Sequence, residues 1–155
     1  MGGSKQKKRV VQKETPPERH VGQRENPDKY GTMKPAWNFN SYDQQCWSFT
    51  KENVGDAFWE EIFPFLVSLE TQTWNEILIR AKKKNHHIDI KNLNTGAQNR
   101  LEELKIEKES ILSLRLTSTH RIYGYVVNGI FYVLWYDNNH GDNTSCVCRS
   151  HLKHT

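Results

Sequence analysis

A chain of 155 residues holds one domain with some length to spare. Its hydrophobic fraction is 35%, and no apolar run approaches the ~20 residues of a membrane-spanning helix, which argues against a helical membrane protein. The net charge of +4 is uneven: residues 1–36 carry nine Lys and Arg against four Asp and Glu, the remainder thirteen against fourteen, so a nucleic-acid-binding body would need its cations focused locally.

Residues 1–35 are polar and charged, with Pro16, Pro17, Pro27 and Pro35 and few large apolar side chains. Such a segment buries too little to fold alone and is expected to be a disordered basic leader. It lacks the apolar segment of a secretory signal, and Gln6 stands where a myristoylation motif needs Ser or Thr. Three cysteines, Cys46, Cys146 and Cys148, without a framework spacing suit a reducing, cytoplasmic setting. The expected division is a leader over 1–35, one domain over 36–142 and a polar tail over 143–155.

In chain order, residues 37–42 alternate aromatic and polar side chains as an edge strand does, and residues 46–49 read as its return. Residues 58–69 place apolar side chains three and four apart, predicting an amphipathic helix with Trp59 and Phe63 in the core and Pro64 kinking it. Thr73 and Glu76 form a capping box that opens a second helix over 74–84, ending in Lys82, Lys83 and Lys84. Asn85, His86, His87 and Asp89 then read as a loop capping the next helix, in which neighbouring histidines cannot both face one site. That third helix starts at Thr95, with Ala97, Leu101 and Leu104 inward. Residues 111–116 alternate as a strand.

The clearest signal follows. Two β-rich runs, 122–127 and 130–136, are separated by Asn128-Gly129 alone, a dipeptide that accepts φ > 0 at both positions of a type I′ hairpin. A two-residue loop predicts Tyr125 opposite Tyr132, Tyr123 opposite Leu134 and Arg121 opposite Tyr136. One face then reads as core and the other as a cation-aromatic surface holding Arg121, Tyr123, Tyr125, Tyr132 and Tyr136. A three-residue loop over 118–120 would set Arg115 opposite Tyr123, on the same face as Arg121. The fold class predicted is α+β: N-terminal helices packed on a small antiparallel C-terminal sheet.

The segments Trp74-Asn-Glu-Ile, Arg100-Leu-Glu-Glu-Leu, Arg121-Ile-Tyr-Gly and Val133-Leu-Trp-Tyr-Asp-Asn-Asn-His140 resemble a family of small, largely uncharacterised bacterial and phage proteins. The ends of those proteins run approximately Arg-Ile-Trp-Gly…Val-Leu-Trp-Trp-Asp-Pro-Glu-His. Here Asn138-Asn139 replaces Pro-Glu, and Tyr123 and Tyr136 replace Trp. More remotely, the stretch from Leu114 to Leu134 is similar to the C-terminal sheet of RelE/YoeB-type toxins, mRNA endoribonucleases of toxin–antitoxin pairs. The resemblance implies a RelE-like sheet, phosphate-binding roles for Arg115 and Arg121, and a late-histidine role for His140.

Metal-free RNA cleavage needs a base for the 2′-OH proton, cations for the phosphorane and an acid for the leaving 5′-oxygen. Arg121 and Arg115 are the candidate cations, since a guanidinium fork matches two phosphate oxygens. His140 is the candidate acid, imidazole being the side chain suited to proton transfer near neutrality. Glu103, Glu102 or His87 could be the base, with His120 in reserve. Tyr123, Tyr125, Tyr132 and Tyr136 could stack bases, and Lys82, Lys83 and Lys84 could track a phosphate backbone. Equally ordinary roles are a cross-strand ion pair for the arginines, half-buried core for the tyrosines and a solvated helix end for the lysines.

Cys146, Cys148, His151 and His154 offer zinc-compatible atoms but no finger spacing, so neither a metal site nor a cofactor is expected. The expected function is a RelE-superfamily, metal-independent mRNA endoribonuclease of a toxin–antitoxin or phage-defence system. Its partners would be RNA, free or ribosome-bound, and a cognate antitoxin protein. The alternative is a non-catalytic module of the same fold that binds nucleic acid or a partner.

Overall fold

The computed structural model describes residues 29–81, 83–141 and 146–147. Most of the expected leader, Lys82, and most of the expected tail with Cys148, His151 and His154 lie outside the described residues. At the centre is a five-stranded sheet in the order β1-β5-β4-β3-β2. The strands are β1 Ala36–Asn38, β2 His86–Asp89, β3 Ser110–Arg115, β4 Arg121–Val127 and β5 Ile130–Asp137. β3, β4 and β5 form the predicted antiparallel meander and β2 adds antiparallel to β3, whereas β1 runs parallel to β5. The architecture is α+β, with a mixed sheet in place of a wholly antiparallel one.

The hairpin forms where Asn128-Gly129 allows it, with φ of 53° and 82° at the two positions. Val127 pairs with Ile130 and Tyr125 with Tyr132, as predicted, but the register shifts beyond Gly124. Tyr123 lies opposite Trp135, and Arg121 opposite Asp137, so the expected partners Leu134 and Tyr136 are displaced. Leu134 is the extra residue of a β-bulge, and its carbonyl accepts the Asp43 N–H at 2.9 Å. One added residue reverses the facing of all that follow. Trp135 therefore joins Tyr123 on one side, while Tyr136 joins Ile122 on the other.

The β3–β4 connection also differs from expectation. Arg115 pairs directly with Arg121 and Ser113 with Tyr123, so the loop spans 116–120. Opposed residues share a face, and the two arginines do so as predicted.

Helical segments cover both faces of the sheet. On one side are α1 (Lys51–Val54), a π-helical turn over Phe58–Ile62 that runs into α2 (Phe63–Leu69), and a second π turn over Glu76–Arg80. The Phe63 N–H reaches the Phe58 carbonyl, five residues back. Pro64 sits in the first turn of α2, at this junction, where its missing donor disturbs least. The wider turn also rotates the apolar stripe. Ile62, Leu66 and Leu69 are buried, while Trp59 and Phe63 stand 68% and 47% exposed. Their expected core placement is thereby overturned.

The capping box forms, with the Thr73 N–H donating to Glu76 Oε1 at 2.9 Å and the Glu76 N–H to Thr73 Oγ1 at 3.3 Å. Helical structure ends at Ala81, before the lysine run. Trp74 is fully buried and its indole N–H donates to the Gly129 carbonyl at 2.8 Å, tying this segment to the hairpin turn. Tyr30 packs edge-on against Trp74 at 5.9 Å and is 1% exposed, so the folded body begins upstream of residue 36.

On the other side lies α3 (Thr95–Glu103), capped by Asn94, whose side chain accepts the Gly96 N–H at 2.8 Å. The cap falls one residue before the predicted start, and Ala97 and Leu101 are buried as predicted. Leu112, Leu114, Ile122, Val126, Phe131, Val133 and Tyr136 pack with the π-turn side. Ile88, Ile111, Tyr123, Leu134, Trp135, Cys146 and Val147 pack with α3. Neither face is left open at the sheet centre. Among the described residues no helix is long and apolar enough to cross a membrane.

Candidate functional site

Two loops meet at the end of the sheet where β4 starts and β5 stops. The Leu116 and Thr117 N–H groups donate to the His120 carbonyl at 3.0 and 3.3 Å, and Thr117 Oγ1 accepts the His120 N–H at 3.1 Å. The His140 N–H donates to the Thr119 carbonyl at 2.9 Å, fastening the 138–141 turn to the 116–120 loop. His120 and His140 therefore sit on adjoining loops.

Arg121 lies beneath them, 8% exposed. Its Nη1 donates to the carbonyls of Thr117 at 2.6 Å, Ser118 at 3.2 Å and His120 at 3.2 Å. These contacts make it a pin for the loop. Asp137 stands opposite it in the ladder, 1% exposed, with Oδ1 accepting the Asn139 N–H and Oδ2 the Val147 N–H, each at 2.8 Å. Burial pushes the Asp137 carboxyl above the usual carboxylate range, against those two N–H groups and the charges of Arg121 and His120.

Adjacent residues of a strand face opposite ways, so His120 belongs to the π-turn side. Its Nδ1 is 2.7 Å from Glu61 Oε1 and 3.2 Å from the Tyr136 hydroxyl. Glu61 comes from the first π turn and Tyr136 from the strand segment re-aimed by the bulge. Tyr136 is 2% exposed, and burial, then the charges of Glu61 and Asp137, push its phenol up to about 12. It remains a neutral hydroxyl at physiological pH. A carboxylate on Nδ1 holds the Nδ1–H tautomer and orients the ring. The lone pair then sits on Nε2, which has no hydrogen-bond partner among the described residues. The His120 side chain is 26% exposed and Glu61 32%. An oriented, solvent-accessible imidazole backed by a carboxylate can take up or deliver a proton.

The predicted constellation is dispersed. Arg115 is half-buried beside Arg121 in register, with its own N–H on Asn85 Oδ1 at 3.0 Å. Glu103 sits on α3, 2.9 Å from Arg100 Nη1, and is tied to a different cluster. His87 pairs with Leu112 on the edge strand β2 and lies in a strand, not in the expected capping loop. Glu102, Lys83 and Lys84 are exposed.

Tyr123 and Tyr136 are interior side chains, so the expected open face of five residues is closed. Its accessible remainder is Tyr125 stacked on Tyr132, centroids 5.4 Å apart and planes 7° apart, with Lys108 Nζ 5.0 Å from the Tyr125 ring.

The second ionic cluster is internal. Asp43, 1% exposed, takes Arg100 Nε on Oδ2 and Nη2 on Oδ1, both at 2.8 Å, and the Trp135 indole N–H on Oδ2 at 2.9 Å. Burial alone would raise its pKa. The Arg100, Gln45, Trp135 and Cys46 donors outweigh that and hold the carboxyl down to about 2. Among the described residues, no three His, Cys, Asp or Glu side chains are grouped to hold one metal ion.

Glu61, Asp43 and Arg100 are the residues that sequence reasoning passed over. Glu61 was hidden by a helical period that the π turn breaks. Asp43 carried no signal, because its partners lie 57 and 92 residues away. Set against known protein families, curated proteins and solved structures, the chain has no match in any of them.

Proposed function

We propose that this chain is a metal-independent RNA endoribonuclease of the RelE type, with His120 as its general base. The observation that carries the reading is the 2.7 Å contact between His120 Nδ1 and Glu61, which readies Nε2 for a proton. Two features support it: β3, β4 and β5 form an antiparallel meander, and His140 adjoins His120 through Thr119.

In this reading Nε2 of His120 removes the 2′-OH proton and the 2′-oxygen attacks the neighbouring phosphorus. The 5′-oxygen leaves with a proton from His140, giving a 2′,3′-cyclic phosphate and a free 5′-hydroxyl. Arg121 shapes the loop, and Arg115, which shares the Arg121 face opposite His120, takes no part in the step. The biological setting proposed is a cytoplasmic toxin of a toxin–antitoxin or phage-defence pair, acting on free or ribosome-bound mRNA and restrained by a cognate protein.

Labelled RNA incubated with the protein in EDTA, with and without ribosomes, tests the reaction. His120→Asn is expected to lower cleavage by roughly 10²–10⁴-fold, with a folded circular-dichroism spectrum. Full activity in that variant, or no cleavage by folded wild-type protein under either condition, would overturn the reading. Arg121→Ala is a poorer probe, because it removes the loop's pin along with the charge.

A second reading, a non-catalytic RNA-binding module, is favoured by the Tyr125–Tyr132 stack with Lys108 beside it. It predicts RNA affinity that falls in Tyr125→Ala and is indifferent to His120→Asn.

A further inference from the structure

A pocket of about 390 Å³ opens on the π-turn side of the sheet, within the ~300–1,000 Å³ usual for small-molecule sites. Five aromatic rings line it: Phe39, Tyr42, Phe49, Phe58 and Trp59. Two edge-to-face pairs brace these walls, Phe39 with Phe49 at 5.6 Å and Phe58 with Trp59 at 5.0 Å. Trp59 stands 68% exposed, turned out of the core by the π turn, a distortion frequent at functional sites. A ring so placed adds little to the core and leaves most of its surface for an incoming planar group.

The polar part of the lining is balanced and unengaged. Lys51 and Asp56 supply one charge of each sign, so net charge favours neither an anion nor a cation. The Thr50 hydroxyl is already bonded to Ser48 Oγ at 2.8 Å. The side chains of Lys51, Asp56 and Tyr42 have no hydrogen-bond or ion-pair partner among the described residues. They present a donor, an acceptor and a hydroxyl that does both. An aliphatic occupant would use none of these groups. A neutral heteroaromatic ring uses the whole lining, since its faces stack on aromatic walls and its edge carries donors and acceptors.

The pocket also borders the candidate site. Phe49 packs edge-on against Tyr136 at 5.9 Å, and the Tyr136 hydroxyl is 3.2 Å from His120 Nδ1. One ring therefore separates the pocket wall from the imidazole, and Trp59 shares its π turn with Glu61.

We propose that this pocket takes a nucleobase of an RNA strand, stacked on Trp59 and its neighbouring rings and held at its edge by Asp56, Lys51 and Tyr42. The strand as the source of the base rests on the endoribonuclease reading; affinity for a nucleoside does not.

Isothermal titration of the full chain with adenosine, indole and a 2′-O-methyl hexa-adenylate tests this. The methyl groups block attack by the 2′-oxygen, so binding is read without cleavage. Adenosine is expected to fill one saturable site and to be nearly indifferent to salt, being neutral. The hexa-adenylate should compete for the same site. Trp59→Ala should weaken both roughly tenfold, as loss of a stacking partner does, and Trp59→Phe should recover most of that. Asp56→Ala should weaken adenosine but not indole. Trp59 and Asp56 are exposed, so neither variant disturbs the core. Absence of adenosine binding, undiminished binding in Trp59→Ala, or indole bound as tightly as adenosine would overturn the proposal. Exclusion of the hexa-adenylate from a site that binds adenosine would overturn it in favour of a free nucleoside. A dimer that Trp59→Ala dissolves would assign the pocket to a second copy instead. Binding of both ligands by a protein that cleaves no RNA would support the pocket while removing the nuclease reading.

Discussion

Arg100 grips Asp43 with two parallel donors, Nε to Oδ2 and Nη2 to Oδ1, each at 2.8 Å. This fork joins α3 to the segment that follows β1 across 57 residues of chain. Trp135 adds its indole N–H from β5, so one carboxylate ties together three separate parts of the fold. A buried pair of this kind is costly to break on one side only, because the remaining charge loses its partner. Asp43→Ala is expected to cost about 3–5 kcal/mol in urea unfolding. Replacing both partners, as Asp43→Leu with Arg100→Met, should recover a large part of that loss, though Trp135 and the Gln45 and Cys46 N–H groups stay without their acceptor. A double variant no better than the single one would show that the fork itself is not what holds the segment.

The same carboxylate sets part of the acid limb of stability. Its pKa is about 2 in the folded protein against an ordinary 3.8. A depressed acid binds its proton less readily when folded, so its contribution is present above the unfolded value and disappears as pH falls through the folded one. The difference amounts to about 2 kcal/mol, lost between roughly pH 4 and pH 2. Asp137 works in the other direction. Burial holds its carboxyl high, so its contribution is greatest below the ordinary range and fades as pH rises. Chemical denaturation of wild type and Asp43→Asn from pH 5 to pH 2 separates the two. The variant should have a visibly flatter acid limb, and parallel limbs would contradict the assignment.

The hairpin and its turn were legible in the sequence because Asn128-Gly129 leaves few alternatives for the backbone. The capping box at Thr73 was legible for a similar reason, since its two hydrogen bonds lie within a four-residue window. α3 declared its buried face through Ala97 and Leu101. Each of these is local, decided by neighbouring side chains.

What escaped was decided at longer range. The bulge at Leu134 is stabilised by Asp43, whose N–H takes the carbonyl that the ladder releases. Nothing near Leu134 in sequence announces it, yet it turns Tyr136 toward His120 and Trp135 toward Asp43. The π turn over Phe58–Ile62 likewise breaks a spacing that reads as regular helix. It exposes Trp59 and carries Glu61 to the end of the sheet. Half of the candidate site, the loop with His120 and the late His140, was named from sequence. The carboxylate that orients His120 needed the structure, because 59 residues separate the pair.

Gly124 tests how tightly that bulged hairpin is packed. A Cβ built at this position would run into the Tyr132 carbonyl and would lie 2.7 Å from the Phe131 ring. Neither neighbour can yield cheaply: the carbonyl belongs to β5 and the ring is fully buried against Trp37 and Trp74. The obstacle is close approach, as the backbone here is ordinary strand. Overpacking of this kind costs about 1–3 kcal/mol, so Gly124→Ala should lower Tm by roughly 5–15 °C. Gly96→Ala is the matched control. It lies exposed in the first turn of α3, where a Cβ would meet only Asn94 Oδ1 at 3.4 Å, and helix propensity favours Ala there. That variant should melt at or slightly above the wild-type temperature. Equal melting of the two variants would mean that β4 and β5 can separate locally, and the register that brings Tyr136 to His120 would then lack the rigidity a proton-transfer site requires.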